Sequence, residues 1–135
     1  MSRRVARRGL MKLLYQMDMN DDYSDEAVDF YFENSDLKED EVEFIREHIL
    51  GMIDKFGEID EIIKSNLEGW SLERISNIDR QILRIAVYEL YFTSTASNIV
   101  INEAVEIARE YSSNEAPKFI NGILGTIFRK FAKES

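Results

Sequence analysis

A chain of 135 residues with no cysteine, one histidine and a net charge of −9 excludes several classes of protein at once. No disulfide, thiolate metal site or cysteine nucleophile can form, two-histidine metal motifs are ruled out, and a histidine-based triad would rest on His48 alone. No apolar run nears the roughly 20 residues of a membrane-spanning helix, and the basic start is not followed by an uninterrupted apolar segment of signal-peptide type. A soluble, cytoplasmic protein without a membrane partner is therefore expected, organised as a single domain over residues 1–135.

The charge is unevenly spread. Residues 1–12 contain Arg3, Arg4, Arg7, Arg8 and Lys12 and no acid, so the rest of the chain carries about −14. Two opposed electrostatic ends imply two kinds of partner, or one partner and one solubilising face. From Ala6 to Met17 the apolar residues Ala6, Leu10, Leu13, Leu14 and Met17 recur at helical spacing and fall within an arc of roughly 100°. The basic residues occupy the other side, with Met11 and Tyr15 inside their arc.

Residues 18–47 hold thirteen acids against Lys38 and Arg46, most of them on a hydrated face. Within this segment Ala27, Val28, Phe30, Tyr31 and Phe32 predict a short aromatic helix, which Asn34 and Ser35 end. Asp36 with Glu39 has the spacing of a capping box opening a longer helix, whose buried face is Val42, Ile45, Ile49, Met52, Ile53 and Phe56. Gly57 is expected to interrupt it, with Ile59, Ile62, Ile63 and Leu67 continuing the pattern on a second segment. Gly69, Trp70 and Ser71 mark a turn, and Ser71 is a candidate cap for a short piece from Leu72 to Ile75.

The stretch from Ile78 to Phe92 has apolar side chains on both helical rows and reads as the core element of the fold. Its polar residues Asp79, Arg80, Gln81 and Arg84 sit in the first two turns, so its start is expected at the surface and its second half enclosed. Val100, Ala104, Ile107, Ala108 and Tyr111 predict a two-faced helix. A last helix from about Glu115 carries the rows Phe119, Ile123, Ile127, Phe131 and Ile120, Leu124, Phe128, with Pro117 in its first turn, where the missing N–H costs nothing. The expected fold is all-α, a compact bundle of six to seven helices in two sub-bundles that share the helix at Ile78–Phe92.

The residues carry no recognisable catalytic constellation. Acid pairs such as Glu58 with Asp60 lie in hydrated runs, and no Gly-rich phosphate loop, GxSxG elbow or zinc spacing is present. No enzyme activity, cofactor or metal is therefore expected. The positive signal is the basic cluster: cations in the first turns of a helix oppose its dipole, so folding does not explain them and an anionic partner does. Tyr15 on that face offers a ring on which an unstacked base can lie, as in single-stranded RNA recognition. Lys118 and Phe119 stand at a helix start, where free N–H groups favour phosphate. The alternatives are a basic tail of no specific role and a Phe119 that only joins its apolar row.

Four blocks in order resemble the NusB family of bacterial transcription antitermination factors. They are Arg3-Arg4-x-Ala6-Arg7 leading into Leu14-Tyr15-Gln16, the run Asp79-Arg80-x-Ile82-Leu83-Arg84-x-Ala86-x-Tyr88-Glu89-Leu90, Ile101 to Ala108, and Lys118-Phe119-Ile120-Asn121-Gly122-Ile123-Leu124. The resemblance covers nearly the whole chain. It implies two packed three-helix sub-bundles and a non-catalytic role. The expected partners are the single-stranded boxA element of nascent RNA, notably in ribosomal RNA leaders, the ribosomal protein NusE, other Nus factors and RNA polymerase. Family members occur as monomers and as dimers, so a homodimer stays open. Carried over by motif, the RNA-contacting positions are Arg3, Arg4, Arg7, Tyr15, Arg84 and the Lys118-Phe119 pair, with Arg8 added from the basic arc and Asp79 from the expected exposed start of its helix. For NusE the acidic segment at Asp21, Asp22 and Asp25 is the electrostatic candidate. The competing reading is a protein-binding scaffold that uses this acidic face without specific RNA recognition.

Overall fold

The computed structural model describes residues 3–69 and 71–134, and every regular element among them is helical. In chain order these are α1 (Arg3–Asn20), α2 (Asp25–Glu33), α3 (Glu39–Lys64), α4 (Asn77–Phe92), α5 (Ser97–Tyr111) and α6 (Ala116–Glu134), with a 3₁₀ turn at Leu72–Arg74 between α3 and α4. The all-α class and the helix count are as expected. No described helix is long and apolar enough to cross a membrane.

The chain divides into two compact units, one ending at Asp54 and the other starting at Lys55. The boundary lies inside α3. The helix that contributes to both units is therefore α3, and the helix at Ile78–Phe92, expected to be shared, belongs wholly to the second. Gly57, expected to break the chain into two segments, lies within α3. A Cβ there would meet nothing within 4 Å. The row Ile45, Ile49, Met52, Ile59 and Ile63, each at most 1% exposed, passes it without a gap. Each such side chain gains about 1.5–3 kcal/mol on burial, against about 1 kcal/mol for a glycine inside a helix.

In the first unit the predicted stripe Ala6, Leu10, Leu13, Leu14 and Met17 is buried throughout. Gly9 extends it: a Cβ at this position would lie 2.9 Å from Ile45 Cδ1, so any larger residue would require the Ile45 side chain to shift. Ser24 caps α2 by accepting the Ala27 N–H at 3.2 Å. The start of α3 falls three residues after the expected Asp36 cap. Glu41 Oε1 accepts the Lys38 N–H at 2.9 Å, and Lys38 O accepts the Val42 N–H, so Lys38 occupies the cap with Glu41 reaching back to it.

In the second unit α4 packs against both α5 and α6, and α5 against α6. Val100, Ala104, Ile107 and Ala108 of α5 and Ile120, Ile123, Leu124 and Ile127 of α6 form the buried faces. The second half of α4 is enclosed as expected at Ile85, Ala86, Val87 and Leu90, but its start is not at the surface. Asp79, Gln81 and Arg84 near its start are at most 8% exposed, whereas Tyr88, Tyr91 and Phe92 toward its end are half-buried. Buried polar groups require partners, and those of Asp79 and Arg84, described below, lie far along the chain. Ser71 makes no capping hydrogen bond through its side chain. The 3₁₀ turn is held instead by Arg80, which donates from Nε to Leu72 O and from Nη2 to Ile75 O, both at 3.2 Å. Gly69, with φ of +73°, takes the left-handed conformation expected of a turn there, while Trp70 lies outside the described residues.

Because Gly57 is exposed in the helix with open space beside it, Gly57→Ala is expected to stabilise the protein by about 1 kcal/mol, read as a raised urea midpoint. An unchanged or lowered midpoint would contradict an unbroken α3.

Candidate nucleic-acid interface

In the first unit the candidate residues all lie on α1, whose first turn contains no acid. They divide into two sets. Arg4, Arg8, Lys12 and Tyr15 share one face, within an arc of roughly 80° at 100° per residue. Arg4, Lys12 and Tyr15 are exposed and Arg8 is half-buried. Arg3 and Arg7 turn toward Phe44 on α3, with their guanidinium carbons 4.7 and 5.4 Å from the ring centroid. The Phe44 ring also stacks on His48 at 4.0 Å, and His48 Nδ1 lies 3.1 Å from Phe44 O. Arg3 remains exposed, but Arg7 is only 5% exposed. Met11, expected within the basic arc, is buried at 2%. The buried stripe is thus wider than its aliphatic residues indicate, because Arg7 and Met11, one turn apart, join it. Phe44 went unrecognised in the sequence reading; its i, i+4 spacing to His48 is the signal that marks the pair.

In the second unit the four candidates are differently placed. Asp79, 8% exposed, accepts the Ser112 hydroxyl at 2.6 Å, which ties α4 to the end of α5. Arg84 forks onto Asp60 of α3, with Nε to Oδ1 and Nη2 to Oδ2 both at 2.8 Å. Its Nη1 donates to Gln81 Oε1 at 3.2 Å, and its guanidinium lies 5.1 Å from the Phe56 ring centroid. Gln81 in turn donates to Asn77 Oδ1 at 2.6 Å. Such a pair fixes one element against another, since a buried charge that loses its partner costs several kcal/mol.

Lys118 and Phe119 occupy the first turn of α6. Lys118 is exposed and Phe119 is half-buried. Phe119 separates two depressions. One, of about 580 Å³, is lined among others by Asn66, Leu67, Lys118, Gly122 and Thr126. The other, of about 230 Å³, is lined by Ile75, Asp79, Ser113 and Ala116 among others. Lys130 Nζ donates to Asn66 Oδ1 at 2.8 Å, which ties α6 to a residue that lines the larger one after the end of α3. The ring therefore both continues the apolar row of α6 and forms a wall open to a flat ligand.

A cationic helix face carrying a tyrosine and a lysine-phenylalanine edge beside an open groove define a small all-α protein built to bind. The chain matches the NusB family model over residues 4–129 and belongs to the NusB family. It is 40% identical over 131 residues to the transcription antitermination protein NusB of Finegoldia magna, with 96% of each chain covered. It superposes on T. maritima NusB with a TM-score of 0.86 at 36% identity, covering 96% of this chain and 92% of that one. It also matches a chain from a crystal structure of antitermination factors NusB and NusE in complex with dsRNA, with a TM-score of 0.86, 28% identity, and 95% and 96% coverage.

The Arg84–Asp60 fork makes a direct prediction. Asp60→Ala is expected to lower stability by about 3 kcal/mol, because Arg84 is left buried without its carboxylate. Chemical denaturation checks it. A loss below about 0.5 kcal/mol would show that Arg84 does not depend on Asp60 and would contradict this account.

Proposed function

We propose that this protein is a transcription antitermination factor that binds the boxA element of nascent RNA together with ribosomal protein NusE. It then joins other Nus factors on RNA polymerase in the cytoplasm, as one RNA-binding module without catalysis. The observation that carries this reading is the Arg4, Arg8, Lys12 and Tyr15 face of α1, exposed at Arg4, Lys12 and Tyr15, on a helix whose first turn holds cations that oppose its dipole and no acid. Membership of the NusB family, the antitermination name of the Finegoldia relative and the NusE and RNA content of the matched complex support it.

The roles within the interface differ by residue. Arg3, Arg4, Arg8 and Lys12 supply charge for phosphates, Arg3 while its guanidinium rests near Phe44. Tyr15 and Phe119 offer rings for unstacked bases, which is why we assign a single strand as the RNA read here, and Lys118 holds a phosphate beside Phe119. Arg7 in the first unit, and Asp79 and Arg84 in the second, support the candidate residues of their own units: Arg7 against Phe44, Asp79 on Ser112 and Arg84 on Asp60. They shape the interface more than they touch RNA. A homodimer that covered the α1 face would compete with RNA.

Binding of a short boxA RNA across a range of salt concentrations tests this. The double variant Arg4→Ala/Lys12→Ala is expected to flatten the slope of log affinity against log salt by about 1.4, the loss of two single-strand phosphate contacts. Tyr15→Ala is expected to weaken binding about tenfold at constant slope, the loss of one stacked base. An unchanged slope and affinity in these variants, with NusE still bound, would put the scaffold reading in its place.

A further inference from the structure

Between α1 and α2 lies a depression of about 340 Å³ lined by Gln16, Met17, Asn20, Asp22, Glu26, Ala27 and Phe30. Met17, 1% exposed, forms its floor, while Asp22 and Glu26 are exposed at its mouth. Phe30 stands beside it 61% exposed, and Met19 on the adjoining turn of α1 is 64% exposed. The helix does not need Phe30 for its own packing, since Val28 enters the core at 5% exposed and Phe32 lies beneath the Arg46 guanidinium at 4.9 Å. A phenylalanine left this far in water next to a cleft large enough for one side chain is an unfilled contact.

We propose that this groove docks a lysine- or arginine-rich polypeptide segment that inserts one apolar side chain beside Phe30. Charge decides the class of occupant. Residues 18–47 carry thirteen acids against Lys38 and Arg46, and Arg46 is drawn to Asp29 at 3.4 Å. The Ser24 side chain and backbone N–H, the latter at 3.1 Å from Asp22 Oδ1, hold the Asp22 carboxyl below the ordinary carboxylate range, so it stays ionised at the groove mouth. Phosphate-bearing ligands, nucleic acid and anionic lipid alike, are repelled there. A cationic peptide is attracted over the same surface, and the apolar cleft adds a contact that charge alone does not provide. The groove and the Tyr15 face lie on different sides of α1, with Gln16 next to both, so peptide and RNA can be held together. This inference does not rest on the RNA reading and stands if that reading fails.

The test is an amide chemical-shift titration of the full chain with a short synthetic lysine-rich peptide containing one phenylalanine, beside the same peptide with that residue replaced by alanine. The expected result is that shifts gather at Gln16, Asn20, Ala27 and Phe30, and that the peptide lacking phenylalanine binds about tenfold more weakly. Phe30→Ala, a surface change that leaves the fold intact, is expected to erase this difference, and Asp22→Lys/Glu26→Lys to abolish binding. Shifts spread over the acidic start of α3 with no dependence on the phenylalanine would overturn the proposal in favour of unspecific attraction. Shifts of the groove amides by a short single-stranded RNA, competing with the peptide, would overturn it in favour of a nucleic-acid surface.

Discussion

The requirement that a buried charge find a partner governs the second unit. Three polar side chains near the start of α4 are enclosed, and each dictates a neighbour. Arg84 requires the Asp60 carboxylate on α3, Asp79 receives the Ser112 hydroxyl at the end of α5, and Gln81 lies between Arg84 and Asn77. These bonds fix the end of α3, the start of α4 and the exit from α5. With Ser112 held, the chain turns through Ser113 and Glu115 into α6, and Phe119 arrives at the depression that Asp79 also lines. The candidate contact at Lys118-Phe119 is thus placed by a network of buried and half-buried polar groups.

In the first unit a different economy holds. α1 must bury an aliphatic stripe and still present cations to water, with no acid in its first turn to offset them. Arg3 and Arg7 meet this by lying against the Phe44 ring, where attraction between a guanidinium and an aromatic face offsets part of the desolvation. Arg3 stays exposed beside that ring, and Arg4, Arg8, Lys12 and Tyr15 form a separate face of α1. Five basic residues near the chain start are therefore not equivalent, and a single phenylalanine on α3 draws two of them to its ring.

Much of this was legible in the residues. The apolar rows of α1, α5 and α6 marked their buried faces correctly, since burial follows periodicity wherever the buried side chains are aliphatic. The all-α class followed from the same rows. What periodicity could not carry was the fate of polar residues. Asp79 and Arg84 look solvent-facing because their partners Ser112 and Asp60 lie 33 and 24 residues away. Gly57 resembled a break because local propensity takes no account of the apolar row that continues past it. The Asp36 cap misled because its spacing to Glu39 is right, while the backbone bond that opens α3 comes from Lys38, a residue whose side chain gives no capping signal. For the candidate interface, the residue types were readable but their division into surface contacts and supports was not.

The central claim is that RNA lies on the Tyr15 face of α1 and at Phe119 of α6. Ultraviolet cross-linking of a short single-stranded boxA RNA to the protein, with the adducts located by mass spectrometry, tests it most directly. The account predicts adducts at Tyr15 and Phe119. Adducts at Phe30, Tyr31 or Phe32 on α2, with Tyr15 and Phe119 unmodified, would contradict it.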